Sequence, residues 1–357
     1  MSETVTDASA LLDAAEQPDA GDRAYPVACV LGAGAWGTTF AMILADAGCQ
    51  VRLWAREQEV AQAINTGRCN SRYLPEVDLP AGIEATCDAQ AALAGASVVI
   101  AAMPSQVARA VLESMASWID PAAVVVALMK GVELGTGQLM SDVVAQATGV
   151  DSSRVAVVSG PNLAREIAYR QPAATVVAST CSRTAELVAH ACTTSYFRPY
   201  TNDDVIGVEL CGAVKNVIAL AVGMARGLGL GWNTTATLIT RGAAEVMRLG
   251  AALGAKPATF AGLAGMGDLI ATCASPLSRN HSVGARIGEG ASVQEALEAT
   301  GGTAEGVKSA FSVLELATTH GVEMPITAGV VAVLDGTLPI SQLGQVLLSR
   351  PRKSEGE

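Results

Sequence analysis

Lys215 lies in the middle of Leu210-Cys-Gly-Ala-Val-Lys-Asn-Val-Ile-Ala-Leu-Ala-Val222, where every other side chain except Asn216 is apolar or small. A run of that composition reads as a buried helix. A lysine inside it loses hydration, which favours the neutral amine. Lys215 therefore either snorkels its ammonium to water or serves as a tuned acid or base. Two further polar clusters interrupt the alanine-rich background. Gly265-Met-Gly-Asp268 sets a carboxylate just behind a glycine turn, and Ser278-Arg279-Asn280-His281 gathers hydrogen-bond donors where a helix is expected to begin. Asp268 suits a helix N-cap or a partner for a lysine. Arg279 suits a solvated charge or a bidentate clamp for an anion, with Ser278 and Asn280 adding neutral hydrogen bonds.

Far upstream, Tyr25-Pro-Val-Ala-Cys-Val-Leu31 runs straight into Gly32-Ala-Gly34-Ala-Trp-Gly37, and a helical pattern follows from Thr38 to Gly48. Strand, tight turn and helix in that order suit a dinucleotide. Gly32 permits the turn, Gly34 lets backbone amides reach a pyrophosphate, and Gly37 lets the helix pack on the strand, with the helix N-terminus facing the anion. The second strand, Gln50-Val-Arg-Leu-Trp54, arrives at the expected distance. Ala55-Arg56-Glu57 follows it. Arg56 favours NADP(H), because a guanidinium offers two donors to a 2′-phosphate, while Glu57 keeps NAD(H) open.

The elements that must position these groups divide the chain. Ala96–Met103, Ala123–Leu128 and Arg154–Val158 are continuous apolar runs of the kind that form buried parallel strands. Met103-Pro-Ser105, Lys130-Gly131 and Ser159-Gly160-Pro161-Asn162 follow strand ends, where ligands gather in doubly wound sheets; ordinary turn chemistry is the other reading. After Thr201 the pattern becomes helical: Val205–Arg226, Trp232–Leu253, Pro257–Ala271, Val293–Glu298, Gly306–His320, Pro325–Leu334 and Ile340–Ser349. The expected architecture is α/β: a disordered acidic leader (1–24), a doubly wound Rossmann-type domain (25–204), an all-α domain (205–349) and a charged tail (350–357).

Composition narrows the function classes. The chain has 357 residues, half of them apolar, and a net charge of −11, which argues against nucleic-acid binding. The apolar runs are broken by Gly or charged residues before the ~20 needed to span a bilayer, so no membrane span is expected. The leader lacks the basic start and apolar stretch of a secretion signal. Eight cysteines without C-x-x-C spacing suit a reduced cytoplasm, and three histidines without paired spacing make no metal site.

Taken in order, GAGAWG, MPSQ, ALMKGVE, VSGPNLARE, ELCGAVKNVIA, GLAGMGDL, SRNH and AEG closely resemble the bacterial NAD(P)-dependent sn-glycerol-3-phosphate dehydrogenases, over about Val27 to about Leu348. The resemblance implies that Lys215 donates and accepts the proton. It implies that Lys130, Gly160 and Asn162 contact substrate from the first half, and Lys215, Asp268, Ser278, Arg279 and Asn280 from the second. Cofactor contacts would come from the glycine turn (Gly32, Gly34, Ala35, Trp36, Gly37) and from Arg56, Lys130, Ala164, Arg279, Thr303 and Glu305. Ala35 stands where serine is frequent in such proteins, Asn162 where threonine or serine is, and Thr303 where valine is. These departures bear on affinity and leave the reaction class intact. The implied reaction is reversible reduction of dihydroxyacetone phosphate to sn-glycerol 3-phosphate by a cytoplasmic homodimer, supplying glycerophospholipid synthesis. A dehydrogenase of 2-keto or 2-hydroxy acids on the same architecture would not need the Ser278-Arg279-Asn280 cluster. A non-enzymatic NADP(H) sensor would give no reason for Lys215 and Asp268.

Overall fold

The computed structural model describes residues 26–301 and 304–344. Eight strands form one sheet: β1 (Val27–Leu31), β2 (Gln50–Trp54), β3 (Ile83–Thr86), β4 (Val98–Ala101), β5 (Val124–Ala127), β6 (Val155–Ser159), β7 (Ala173–Ala178) and β8 (Phe197–Asn202). Their order is β3-β2-β1-β4-β5-β6-β7-β8. The first six pair in parallel, β7 runs antiparallel to β6, and β8 runs parallel to β7. The Val-, Ile- and Ala-rich strands β4, β5 and β6 are buried at every residue. Helices α1 (Ala35–Asp46), α2 (Gln58–Gly67), α3 (Ala89–Leu93), α4 (Ala108–Met115), α5 (Met140–Thr148), α6 (Ala164–Ala168) and α7 (Ser182–Ala191) connect the strands, and an apolar core lies on each face of the sheet. Leu31 pairs with both Trp54 and Ala101, so the carboxyl ends of β1, β2 and β4 are level. Gly32, Ala55 and Ala102 therefore open one crevice.

The second half is helical: α8 (Val205–Gly227), α9 (Trp232–Ala252), α10 (Pro257–Ala261), α11 (Asp268–Ala274), α12 (Arg279–Gly288), α13 (Val293–Ala299), α14 (Glu305–Thr319) and α15 (Pro325–Leu334). α8 is its axis, buried from Gly207 to Ala225. Among the described residues it is the one helix long and apolar enough to cross a bilayer, but 89% of its most apolar stretch is buried inside the protein. α12 crosses α8 at backbone contact. A Cβ on Gly284 would lie 2.2 Å from Leu220 O, and one on Gly223 would lie 2.1 Å from His281 O. Only hydrogen fits there, and this crossing brings the start of α12 beside the middle of α8.

Several expectations change. The single helix expected over Pro257–Ala271 is two, α10 and α11, separated by a π-helical turn at Leu263–Gly267. Gly265 is where the diverted chain passes close to itself, a Cβ there falling 2.2 Å from Phe260 O. Three strands escaped the sequence reading. β3 is a short edge strand with Glu84 exposed, and β8 carries Pro199, tolerated because β8 is the other edge. β7 (Ala-Ala-Thr-Val-Val-Ala) is small-residue rich and reverses the sheet direction. Of the helix expected over Ile340–Ser349, a 3₁₀ turn at Ile340–Gln342 is present. Its remainder from 345, the leader 1–24 and the tail 350–357 lie outside the described residues.

Candidate active site

The sheet contributes Lys130 just beyond β5 and Gly160 just beyond β6. Lys130 Nζ donates to Gly160 O at 3.2 Å and to Asp268 Oδ2 at 2.7 Å. Gly160 has φ +153°, and a Cβ there would press on Thr175. From the helical half, Lys215 Nζ donates to Asp268 Oδ1 at 2.5 Å and to Thr272 Oγ1 at 2.6 Å. Thr272 Oγ1 in turn donates to Asp268 Oδ1 at 3.2 Å. Each oxygen of one fully buried carboxylate therefore takes one lysine, and the two lysines come from the two halves of the chain.

Local sequence explains the placement. The π-helical turn ends at Gly267, and Asp268 opens α11 with its carboxylate committed to lysines, so Asp268 is not the N-cap the sequence allowed; Gly267 holds that position without a side-chain bond. A Cβ on Gly265 would fall 2.2 Å from Phe260 O, so the turn requires glycine. Such insertions recur at functional sites. Thr272 lies one helical turn beyond Asp268, on the same face. Lys215 does not snorkel, being only 8% exposed. Burial pushes its ammonium down to about 8; the Asp268 charge opposes that shift and the Lys130 charge adds to it.

Around this cluster, Asn162 Nδ2 donates to Thr175 Oγ1 at 2.8 Å. Two buried oxygens here, Ser159 Oγ and Asn162 Oδ1, make no hydrogen bond among the described residues. Ser278 caps α12, its hydroxyl accepting from His281 N at 3.3 Å. Arg279 is exposed at the first position of α12. Asn280 is more committed than its sequence role suggested. Its Oδ1 accepts from Gly306 N at 3.0 Å and its Nδ2 donates to Asn216 Oδ1 at 2.9 Å, locking α12 to α8 and α14 and leaving one amide proton without a partner among the described residues. Glu305 opens α14 half-buried. Burial raises its carboxyl, and the charges of Arg279, Lys130 and Lys215 pull it back, so these groups share one electrostatic neighbourhood. Thr303 lies outside the described residues.

The glycine turn meets the demands of a dinucleotide. Gly32 has φ +119°, and its Cβ would collide with Ala102 O at 2.6 Å; a Cβ on Gly37 would fall 2.0 Å from Gly32 O. At Gly34, the N-cap of α1, nothing lies within 4 Å of a Cβ, and no side chain caps the helix. The first-turn amides, beginning with Ala35, are thus open to an anion. Trp36 Nε1 is buried with no partner among the described residues. These features fit a bound pyrophosphate. Thr39 Oγ1 donates to Ala164 O at 3.2 Å, bringing Ala164 against α1. Arg56, just past β2, is exposed and pairs with Glu57 at 2.7 Å.

Three contributors were not legible in the sequence: Thr272, Thr175 and Asn70. Asn70 is fully buried, and its Nδ2 donates to Ala33 O at 2.9 Å and Thr38 Oγ1 at 2.8 Å, bracing the glycine turn from outside its motif. The spacing of Thr272 from Asp268 was the one available signal.

Known proteins match both halves of the chain. The family model for the N-terminus of NAD-dependent glycerol-3-phosphate dehydrogenase matches residues 27–185, and that for its C-terminus matches residues 204–345. A glycerol-3-phosphate dehydrogenase [NAD(P)+] of Streptomyces griseus is 57% identical over 333 residues, covering 93% of this chain and 99% of that one. The protein of that name from Frankia casuarinae is 56% identical, covering 90% and 96%. The crystal structure of glycerol-3-phosphate dehydrogenase from Coxiella burnetii superposes with a TM-score of 0.86 at 41% identity, covering 91% of this chain and 99% of that one. With both halves matched in order and the two lysines meeting on one aspartate where the halves join, the chain belongs to the NAD-dependent glycerol-3-phosphate dehydrogenase family.

Proposed function

We propose that this chain reduces dihydroxyacetone phosphate to sn-glycerol 3-phosphate, reversibly, with Lys215 as the proton donor. The observation that carries the assignment of Lys215 is its burial on Asp268 and Thr272, with Lys130 on the other carboxylate oxygen. The cofactor is NADPH or NADH, held at its pyrophosphate by the amides of Gly34, Ala35 and Trp36. When bound, the reduced nicotinamide supplies the hydride.

Lys215 donates one N–H proton to the carbonyl oxygen of the substrate as that oxygen becomes an alkoxide, and is left as a neutral amine. An ammonium held near 8 by burial is charged at neutral pH and gives up its proton readily. Asp268 and Thr272 fix the direction of the donated proton. Lys130 balances the Asp268 charge and offers its one remaining N–H to the substrate, with Gly160 and Asn162 beside it. Arg279, Ser278 and the remaining Asn280 amide proton form the phosphate end, at a helix N-terminus whose dipole favours an anion. That end disfavours the reading as a dehydrogenase of simple 2-keto acids.

The test follows the loss of reduced-cofactor absorbance with dihydroxyacetone phosphate. Lys215→Ala is expected to cut kcat by roughly 10²–10⁴ while cofactor affinity stays near that of the parent. Equal loss of both would assign Lys215 a structural role. We further propose a boundary between domains at 204/205, a cytoplasmic setting in keeping with eight free cysteines, supply of glycerophospholipid synthesis, and a homodimer through the helical half. The dimer is supported by exposed apolar side chains there: Trp232 at 69%, Ile270 at 49%, Met247 and Leu277 at 45%. Sedimentation at twice the chain mass is the expected result, and a monomer at micromolar concentration would sink it.

A further inference from the structure

We infer that Glu57 is a built-in stand-in for the 2′-phosphate of NADP(H), and that Arg72 closes on that phosphate opposite Arg56, so that these three side chains set the choice between NADPH and NADH. The inference rests on the nicotinamide-dependent reading above.

Arg56 leaves the end of β2, where adenosine ribose hydroxyls are held in sheets of this winding. Its Nη2 and Nε both donate to Glu57 Oε1, at 2.7 and 3.2 Å. Arg72 approaches the same oxygen from another segment, its Nη1 3.6 Å away. Two guanidiniums converging on one carboxylate oxygen is an anion site with an anion already in it. The side chains are open to exchange: Arg56 is 80% exposed, Arg72 57% and Glu57 33%.

The segment carrying Arg72 is anchored. Asn70, two residues earlier, is fully buried and donates to Ala33 O and Thr38 Oγ1 of the glycine turn. Arg72 also lies over the ring of Tyr73, 5.3 Å from its centroid. Arg72 is thus tied in position to the pyrophosphate turn. Glu57 is the N-cap of α2 but makes no cap bond; its carboxylate serves the arginines in place of the helix.

Without cofactor, Glu57 keeps the two cations from repelling each other and holds them converged. A 2′-phosphate carries more charge and three oxygens in a geometry that suits two guanidinium forks, so it displaces Glu57. With NADH, the 2′-hydroxyl donates to Glu57, which keeps its arginines. One site then accepts both cofactors, and Arg72 contributes only to the phosphorylated one.

The test is calorimetric binding to the full-length protein, with adenosine 2′,5′-bisphosphate and ADP as probes that carry no nicotinamide, and NADP⁺ and NAD⁺ alongside. Arg72→Ala is expected to weaken the bisphosphate about tenfold and to leave ADP unchanged. Glu57→Gln is expected to tighten the bisphosphate and weaken NAD⁺. Arg72→Ala weakening both probes equally, or neither, overturns the role of Arg72. Glu57→Gln weakening the bisphosphate overturns the stand-in. A parent that binds neither probe nor NAD⁺ fails the cofactor reading itself, which the preceding outcomes leave standing.

Discussion

Burial would govern the proton transfer proposed for Lys215 through its titration. With the folded ammonium brought down from 10.5 to about 8, proton donation requires the charged form and proton acceptance the neutral one. Ketone reduction at saturating substrate is therefore expected to fall as pH rises through about 8, and alcohol oxidation to rise over the same range. Thr272 accepts a hydrogen bond from the ammonium at 2.6 Å, a bond that favours the charged form. Bonds to charged groups contribute ~1.5–3 kcal/mol, and one pH unit corresponds to ~1.4 kcal/mol. Thr272→Val should therefore move both breaks down by about one unit, and kcat profiles that coincide with the parent would remove Thr272 from the proton path. Stability has its own sign. Below about 8 both folded and unfolded chains hold the proton and the burial penalty is complete; between 8 and 10.5 the folded chain alone has shed it, so this group's contribution becomes more favourable as pH rises. Lys215 and Asp268 could be found in the sequence because charge in an apolar run costs energy that something must offset. Thr272 could not, because threonine in an alanine-rich helix raises no such conflict.

Among elements, the crossing of α8 and α12 determines where the proposed phosphate end sits. Gly223 and Gly227 on α8 face Gly284 and Gly288 on α12, and a Cβ at any of them would come within 2.0–2.3 Å of a backbone oxygen of the other helix. Gly284→Ala is expected to cost ~1–3 kcal/mol through overpacking and to push Arg279 and Asn280 away from Asn216. Thermal melting should show the first effect, and a raised KM for dihydroxyacetone phosphate with nearly unchanged KM for NADPH the second. If stability falls with both KM values intact, the crossing does not position the phosphate end. This seam was illegible beforehand: Gly223, Gly284 and Gly288 carried no signal, since glycine inside a helix ordinarily marks weakness. β2 could be read to the residue, because Gln50-Val-Arg-Leu-Trp54 follows the glycine turn and its helix at the distance a second strand requires. β7 and β8 were missed because their pairing with the sheet, long-range in sequence, outweighs an alanine-rich or proline-containing composition.

At the scale of the molecule, the two halves meet through buried polar contacts as well as apolar ones. Glu209 on α8 accepts from Ser141 N at 2.9 Å and Ser141 Oγ at 2.5 Å at the start of α5, and burial raises its carboxyl to about 7. Another such contact is Asp268 itself, tied to Lys130 of the sheet half and Lys215 of the helical half. The order of motifs established that there were two halves, but not that one carboxylate would join them, because a sequence does not state distances across 138 residues. Asp268→Asn would leave the buried Lys215 ammonium and the part-buried Lys130 ammonium around a neutral amide, and breaking a buried pair in this way costs ~3–5 kcal/mol. Melting is expected to drop accordingly, and kcat with it. Adding Lys130→Met removes one of the stranded charges, so the double variant should be more stable than Asp268→Asn alone. That non-additivity is the signature of direct coupling. Since Lys130 belongs to the sheet and Asp268 to the helices, strict additivity in the double variant would mean that the halves are held together elsewhere, and that the lysine pair acts on the substrate without organising the domains around it.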